Sequence, residues 1–296
     1  MAITAALVKE LRERTGAGMM DCKKALTECD GDMDKSIDWL REKGIAKAAK
    51  KESRIAAEGL SKVIVEGNFA CLVEINTETD FVTKNDMFLN LLDTTCATIL
   101  ANKPADLEAA LALDVNGKTL NDLFVEAVAT IGEKITLRRF EIVEKTDADA
   151  FGAYMHNKGA ISALVVLKNS TDAEFAKQMA MQVASMAPTY ISRNDMPAEV
   201  IEHERGVQME IAKADESFAK KPEKIQHGII EGRISKALED MSLVDQVYFL
   251  DGKKKCGVEL KEHNTEVSKF VRFLVGEGLE KREENFAEEV AKQING

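Results

Sequence analysis

A strand, an acidic turn and an apolar helix occur twice in this chain, and that repetition limits the available folds more than any other feature. Ala70-Cys71-Leu72-Val73-Glu74-Ile75-Asn76 leads to Thr79-Asp80 and then to a helical pattern that begins near Asp86 and carries Met87, Leu91 and Leu92. Shifted by 92 positions, Ala163-Leu164-Val165-Val166-Leu167 leads to Thr171-Asp172 and a helix with Met179, Val183 and Ala184. A further strand closes each copy, Lys134–Val143 in the first and Lys269–Val275 in the second. The expectation is an α+β chain whose core is two related subdomains.

The flanking segments are helical. Thr4 is placed to cap a helix with Leu7, Val8 and Leu11 at helical spacing, and Gly16-Ala17-Gly18 stops it. A second helix runs from Met20 to Cys29, and Asp30-Gly31-Asp32 turns the chain into a third with Ile37, Trp39 and Leu40. This three-helix unit resembles a ubiquitin-associated domain. Gly44 to Arg54 reads as a solvated helical extension that serves as a linker; Lys47, Lys50, Lys51 and Arg54 without interleaved aromatics make a poor nucleic-acid patch.

The second copy is interrupted between Pro197 and Asp240. Val200, Val207 and Ile211, then Ile225, Ile234 and Leu238, predict an antiparallel helical hairpin projecting from the core. The expected organisation is therefore 1–54, three helices and linker; 55–150, first subdomain; 151–196 with 241–279, second subdomain; 197–240, hairpin; and 280–296, a C-terminal helix with Phe286, Val290 and Ile294 on one face.

Several function classes are disfavoured. A net charge of −11 opposes general nucleic-acid binding. The apolar stretches are too short to span a membrane, and no secretory leader is recognised, so the expected location is cytoplasmic. Five scattered cysteines, Cys22, Cys29, Cys71, Cys96 and Cys256, form no Cys-x-x-Cys pair. The sequence contains no phosphate-binding Gly-x-x-x-x-Gly-Lys, no His-Glu-x-x-His and no Gly-x-Ser-x-Gly. No cofactor is implied and no enzyme is expected, although a Cys–His hydrolase stays open until a fold brings such residues together or keeps them apart.

What remains is apolar side chains at turns. Met19 and Met20 follow Gly16-Ala17-Gly18, where they either form an adaptable contact surface or plug the small helical core. In Thr79-Asp80-Phe81-Val82, Asp80 either caps the next helix with Phe81 in the core, or Phe81 projects. The second copy has Ala173 after its Thr-Asp, which favours projection.

At these residues the chain resembles the elongation factor Ts family, the nucleotide-exchange factors of elongation factor Tu. Leu11-Arg12-Glu13-Arg14-Thr15-Gly16-Ala17-Gly18-Met19-Met20-Asp21-Cys22-Lys23-Lys24-Ala25-Leu26 is similar to that family's N-terminal signature, and Glu74 to Val82 to its second. Ile131-Gly132-Glu133, Tyr154-x-His156, Lys261-Glu262-His263-Asn264 and Val275-Gly276-Glu277-Gly278 are further matches. Asn157-Lys158-Gly159-Ala160 departs from the family's glycine-and-arginine pattern.

The resemblance implies that Arg12, Met19, Met20 and Lys23, with Asp80, Phe81 and Ile131, contact the nucleotide-binding domain of elongation factor Tu. His156, Phe249 and Leu250 would contact its far domain. It implies GDP release by displacement of magnesium- and phosphate-organising elements through Thr79-Asp80-Phe81-Val82, and, in some members, self-association through the hairpin. The competing expectation is an adaptor without exchange activity, acting through the ubiquitin-associated-like helices.

Overall fold

The computed structural model describes residues 3–280. The helix expected over the C-terminal stretch, with Phe286, Val290 and Ile294, lies outside the described residues. The protein mixes helices with small antiparallel sheets, an α+β fold.

The chain opens with α1 (Ala5–Thr15), α2 (Met19–Glu28) and α3 (Met33–Ala49). The Thr4 hydroxyl oxygen accepts the Leu7 N–H, and Gly16 closes α1 in the left-handed region at φ 68°. Leu11, Cys22, Ala25 and Leu26 are fully buried between the three helices. α3 runs on to Ala49 as the helical extension expected past Gly44, most of it exposed, but its first residue is an exception. Gly44 is buried where α3 crosses a later helix, and a Cβ there would sit 3.3 Å from that of Ala129. The missing side chain lets the two helices close.

Next come β1 (Glu58–Glu66), β2 (Phe69–Thr77), a 3₁₀ turn (Asp80–Lys84) and α4 (Asp86–Asn102). The path continues through α5 (Leu107–Leu111), the short pair β3 (Asp114–Val115) and β4 (Lys118–Thr119), α6 (Leu120–Ile131) and β5 (Ile135–Glu144). The second unit starts with β6 (Ala150–His156), β7 (Ile161–Lys168) and α7 (Ala173–Met186). It departs through α8 (Ala198–Lys213), α9 (Glu216–Ala219) and α10 (Glu223–Met241), and returns through α11 (Cys256–Glu262) to β8 (Glu266–Leu274).

The two sheets share one topology, β1-β2-β5 and β6-β7-β8, antiparallel throughout with the second strand in the middle. Each middle strand carries a register shift, at Glu74/Ile75 and at Val166/Leu167, which preserves the offset of 92. Both are buried along almost their whole length, which explains why they read as unbroken apolar runs rather than alternating patterns. Cys71, Val73 and Ile75 face α4 and α6, while Ala163, Val165 and Leu167 face α7 and α11. The opposite faces meet: Val63, Ala70, Leu72 and Val143 pack on Phe151, Leu164, Val166 and Phe273. The result is four layers, helix, sheet, sheet, helix.

Polar ties pin this sandwich at one end. The Ser61 hydroxyl pairs with that of Ser162 and donates to the Gly159 carbonyl, each at 2.8 Å. Gly159 and Gly276, both at positive φ, lie so close to the other unit that added Cβ atoms would come within 2.4 Å of the Ser61 carbonyl and 2.1 Å of the Ala57 carbonyl. Glu74 is fully buried among these residues, accepting from the Gly276 N–H at 2.9 Å, Arg138 at 2.8 Å and Arg139 at 2.6 Å.

The repeat holds in the strands and slips in the loops. Asn85 caps α4 through the Met87 N–H and Asp172 caps α7 through the Phe175 N–H. Aligned on these caps, buried Phe88 matches buried Phe175, an offset of 87. The two Thr-Asp pairs are thus not equivalent. The five-residue turn Asp80–Lys84 is additional length in the first copy, so Phe81 has no counterpart in the second.

Candidate partner-binding site

Thr79-Asp80-Phe81-Val82 begins where β2 leaves its sheet. Val82 is buried against Leu60, Phe88 and their neighbours, which anchors the far end of the turn. At the near end, the Glu133 carboxylate accepts the Thr79 N–H at 2.9 Å, the Thr79 hydroxyl at 2.7 Å and the Thr77 hydroxyl at 3.1 Å. Between these anchors Phe81 stands 76% exposed, with the Lys84 ammonium 5.8 Å from its ring centre. Asp80 does not cap the following helix, because Asn85 does; its carbonyl accepts the Thr83 hydroxyl and its carboxylate faces solvent. A bulky aromatic is thus left in water on a turn tethered at both ends.

Ile131 ends α6 directly before Gly132, half-buried against the core beneath the turn. The N-terminal helical unit docks on the same helix through α3. Arg41 pairs with Asp122 at 2.8 Å, and Lys51 donates to the Gly132 carbonyl. Burial alone would raise the Asp122 carboxyl; the Arg41 guanidinium, with the Thr119 N–H and hydroxyl, outweighs it and holds the group below its ordinary range.

Met19 and Met20 open α2 and are 58% and 73% exposed, so neither plugs the helical core. Arg12 and Lys23 are also at the surface.

The second unit presents its own apolar turn. Phe249 and Leu250 are exposed, and Asp251 accepts the N–H groups of Lys253 and Lys254 to close the bend. Buried Gln182 of α7 accepts the Phe249 N–H at 2.9 Å and donates to the Val247 carbonyl, while Tyr248 donates to Gln178 at 2.8 Å. His156 is exposed at the end of β6 with Nδ1 3.1 Å from the Tyr154 hydroxyl.

Sequence reasoning passed over Glu133, Glu78 and Gln182, which hold the turns and touch nothing outside. Glu133 stood inside the Ile131-Gly132-Glu133 match and Glu78 inside the Glu74 to Val82 match, the signals available for them.

Cys22, Cys71 and Cys256 do not supply an activated nucleophile. Burial pushes the Cys22 thiol up and Cys256 up to about 12; the neighbouring Cys96 thiol, then burial, raises Cys71. Among the described residues no helix is long and apolar enough to cross a membrane.

Apolar side chains carried outward on braced turns, over a duplicated scaffold, define a protein-binding factor. A family model described as Elongation factor TS matches residues 78–277. The chain is 52% identical over 294 residues to Elongation factor Ts of Oenococcus oeni (strain ATCC BAA-331 / PSU-1), covering 99% of both chains. The chain belongs to the elongation factor Ts family, the nucleotide-exchange factors of elongation factor Tu in translation elongation.

Proposed function

We propose that exchange by this protein works through Phe81 as a wedge, with Asp80 beside it. The observation that carries the reading is the exposed ring on a turn tethered at both ends. Phe81 enters between helices of elongation factor Tu next to the nucleotide, and Asp80 competes for groups that organise the bound magnesium. Magnesium bridges the phosphate oxygens, so disturbing its shell loosens GDP. The factor itself transfers no group; it binds the nucleotide-free partner more tightly, and by reciprocity the bound factor weakens the nucleotide equally.

Magnitudes assign the rest of the surface. Moving a partner from 1:99 to 99:1 takes about 5.5 kcal/mol of differential affinity, whereas burying one Phe yields roughly 1.5–3 kcal/mol. The remainder comes from Arg12, Met19, Met20, Lys23 and Ile131 on the nucleotide-binding domain and from His156, Phe249 and Leu250 on the far domain.

Mixing the protein with elongation factor Tu loaded with fluorescent GDP tests the reading: the nucleotide off-rate is expected to rise with protein concentration and saturate. An adaptor acting only through the N-terminal helices leaves that off-rate unchanged.

The hairpin supports self-association. Ile234 and Leu238 are buried near its base, whereas Val207, Ile211 and Ile225 are exposed further out. Sedimentation over a concentration series is expected to show a dimer that Ile211→Asp shifts to monomer; a monomer at every concentration removes the proposal. The site of action is cytoplasmic.

A further inference from the structure

β2 and β5 separate after Thr77 and Ile135, the last pair in their register. One residue further, the Glu78 carboxylate accepts the Lys134 N–H at 2.6 Å. One more, and the Glu133 carboxylate accepts the Thr79 N–H at 2.9 Å. The antiparallel ladder thus continues past its own end, with side-chain carboxylates standing in for carbonyl oxygens across a gap that backbone no longer spans.

The same place gathers three parts of the molecule. Glu133 follows Gly132, the left-handed cap of α6, whose carbonyl receives the Lys51 ammonium. The Lys134 ammonium donates to the carbonyls of Glu52 and Arg54, and the Arg54 guanidinium reaches Glu78 at 3.3 Å. The exit of α3, the end of α6 and the base of the turn are therefore one polar knot, and both Glu133 oxygens are committed to Thr77 and Thr79.

We infer that Glu133 is a positioning residue for exchange, acting through Phe81, an inference that rests on the wedge reading above. A ring that pushes into a partner is pushed back, and the recoil passes to its tethers. Val82 holds one side by burial; Glu133 holds the other by three hydrogen bonds to a carboxylate, a strong kind. With Glu133 removed, the turn gives way. The complex still forms over the other contacts, and the nucleotide site is left undisturbed.

The experiment is fluorescent-GDP release from elongation factor Tu over a concentration series, yielding a maximal rate and a half-saturating concentration. The proteins are wild type, Glu133→Ala, Glu133→Gln, Phe81→Ala and the Phe81→Ala/Glu133→Ala double variant. Glu133→Ala is expected to lower the maximal rate about tenfold, the scale of one charge-assisted hydrogen bond, with a half-saturating concentration within about twofold of wild type. Glu133→Gln keeps one acceptor oxygen and recovers part of the loss. The double variant is no slower than Phe81→Ala alone, because both act through one ring. A wild-type rate for Glu133→Ala beside a slow Phe81→Ala overturns the clamp and leaves the wedge standing. A wild-type rate for Phe81→Ala overturns both. An equal change in rate and half-saturation with a lowered melting temperature, or an additive double variant, marks a merely structural role and overturns the inference.

Discussion

Phe81→Ala is expected to slow factor-stimulated GDP release from elongation factor Tu by roughly 10- to 100-fold, the rate equivalent of burying one aromatic ring. Its half-saturating concentration against the GDP-bound partner should stay within a few-fold of wild type. The ring is 76% exposed in the free protein, so its removal opens no cavity and leaves the melting temperature in place. The gain from burying it is realised only as the nucleotide site opens, and linkage then requires the variant to lose affinity for the nucleotide-free partner by the same factor. Equal losses in rate and in half-saturation, or an unchanged rate, would defeat the wedge.

Glu74→Ala is expected to destabilise the junction of the two sheets strongly. Glu74 is fully buried, whereas Arg138 and Arg139 remain partly in water, which places the cost at the lower end of the range for breaking a buried ion pair, about 3 kcal/mol. For a chain of this size that is a fall of roughly 6–10 °C in melting temperature. Burial by itself would raise the Glu74 carboxyl; the Gly276 N–H and the two guanidinium groups outweigh it and hold the group below the ordinary carboxylate range.

The sign of the pH effect follows. A depressed native pKa contributes stability that is fully present above the unfolded value, about 4.3, and that is lost as pH falls through the native value. Glu74→Gln, which carries the amide at all pH, should therefore melt well below wild type at pH 7, with the gap narrowing below about pH 4. Scanning calorimetry across that range measures it. A gap that stays constant down to pH 3 would show that Glu74 is not held ionised.

Local patterns revealed the middle and closing strand of each sheet, the N-terminal helices and the hairpin, because each has its own periodicity and stop signals, whereas the leading strands β1 and β6 went unread. The stretch from Lys103 to Glu133 was not read as structured, although Thr119 and Asp122 form a capping box and Leu120, Phe124, Ala127 and Val128 lie at helical spacing. β3 and β4, two residues each, have no periodicity to read. The docking of α3 on α6 was hidden because only the position of the other helix shows Gly44 to be a contact. At the turn, the repeated Thr-Asp dipeptide suggested a one-to-one match, and the added length became visible only once Asn85 and Asp172 were seen to cap their helices. Glu133 could not be ranked from sequence, since its role depends on Thr77 and Thr79, more than fifty positions away.

The extra turn in one copy also describes how a symmetric body becomes directional. A duplicated fold has two equivalent ends, and nothing in its layers distinguishes front from back. Five extra residues at one corner do, with no equivalent turn at the matching corner of the sister unit. Loop insertions of this size cost little in chain entropy. In the proposed reading the chain thereby acquires an orientation at almost no expense to its frame, and a partner spanning both units would meet a tool at one end and a handle at the other.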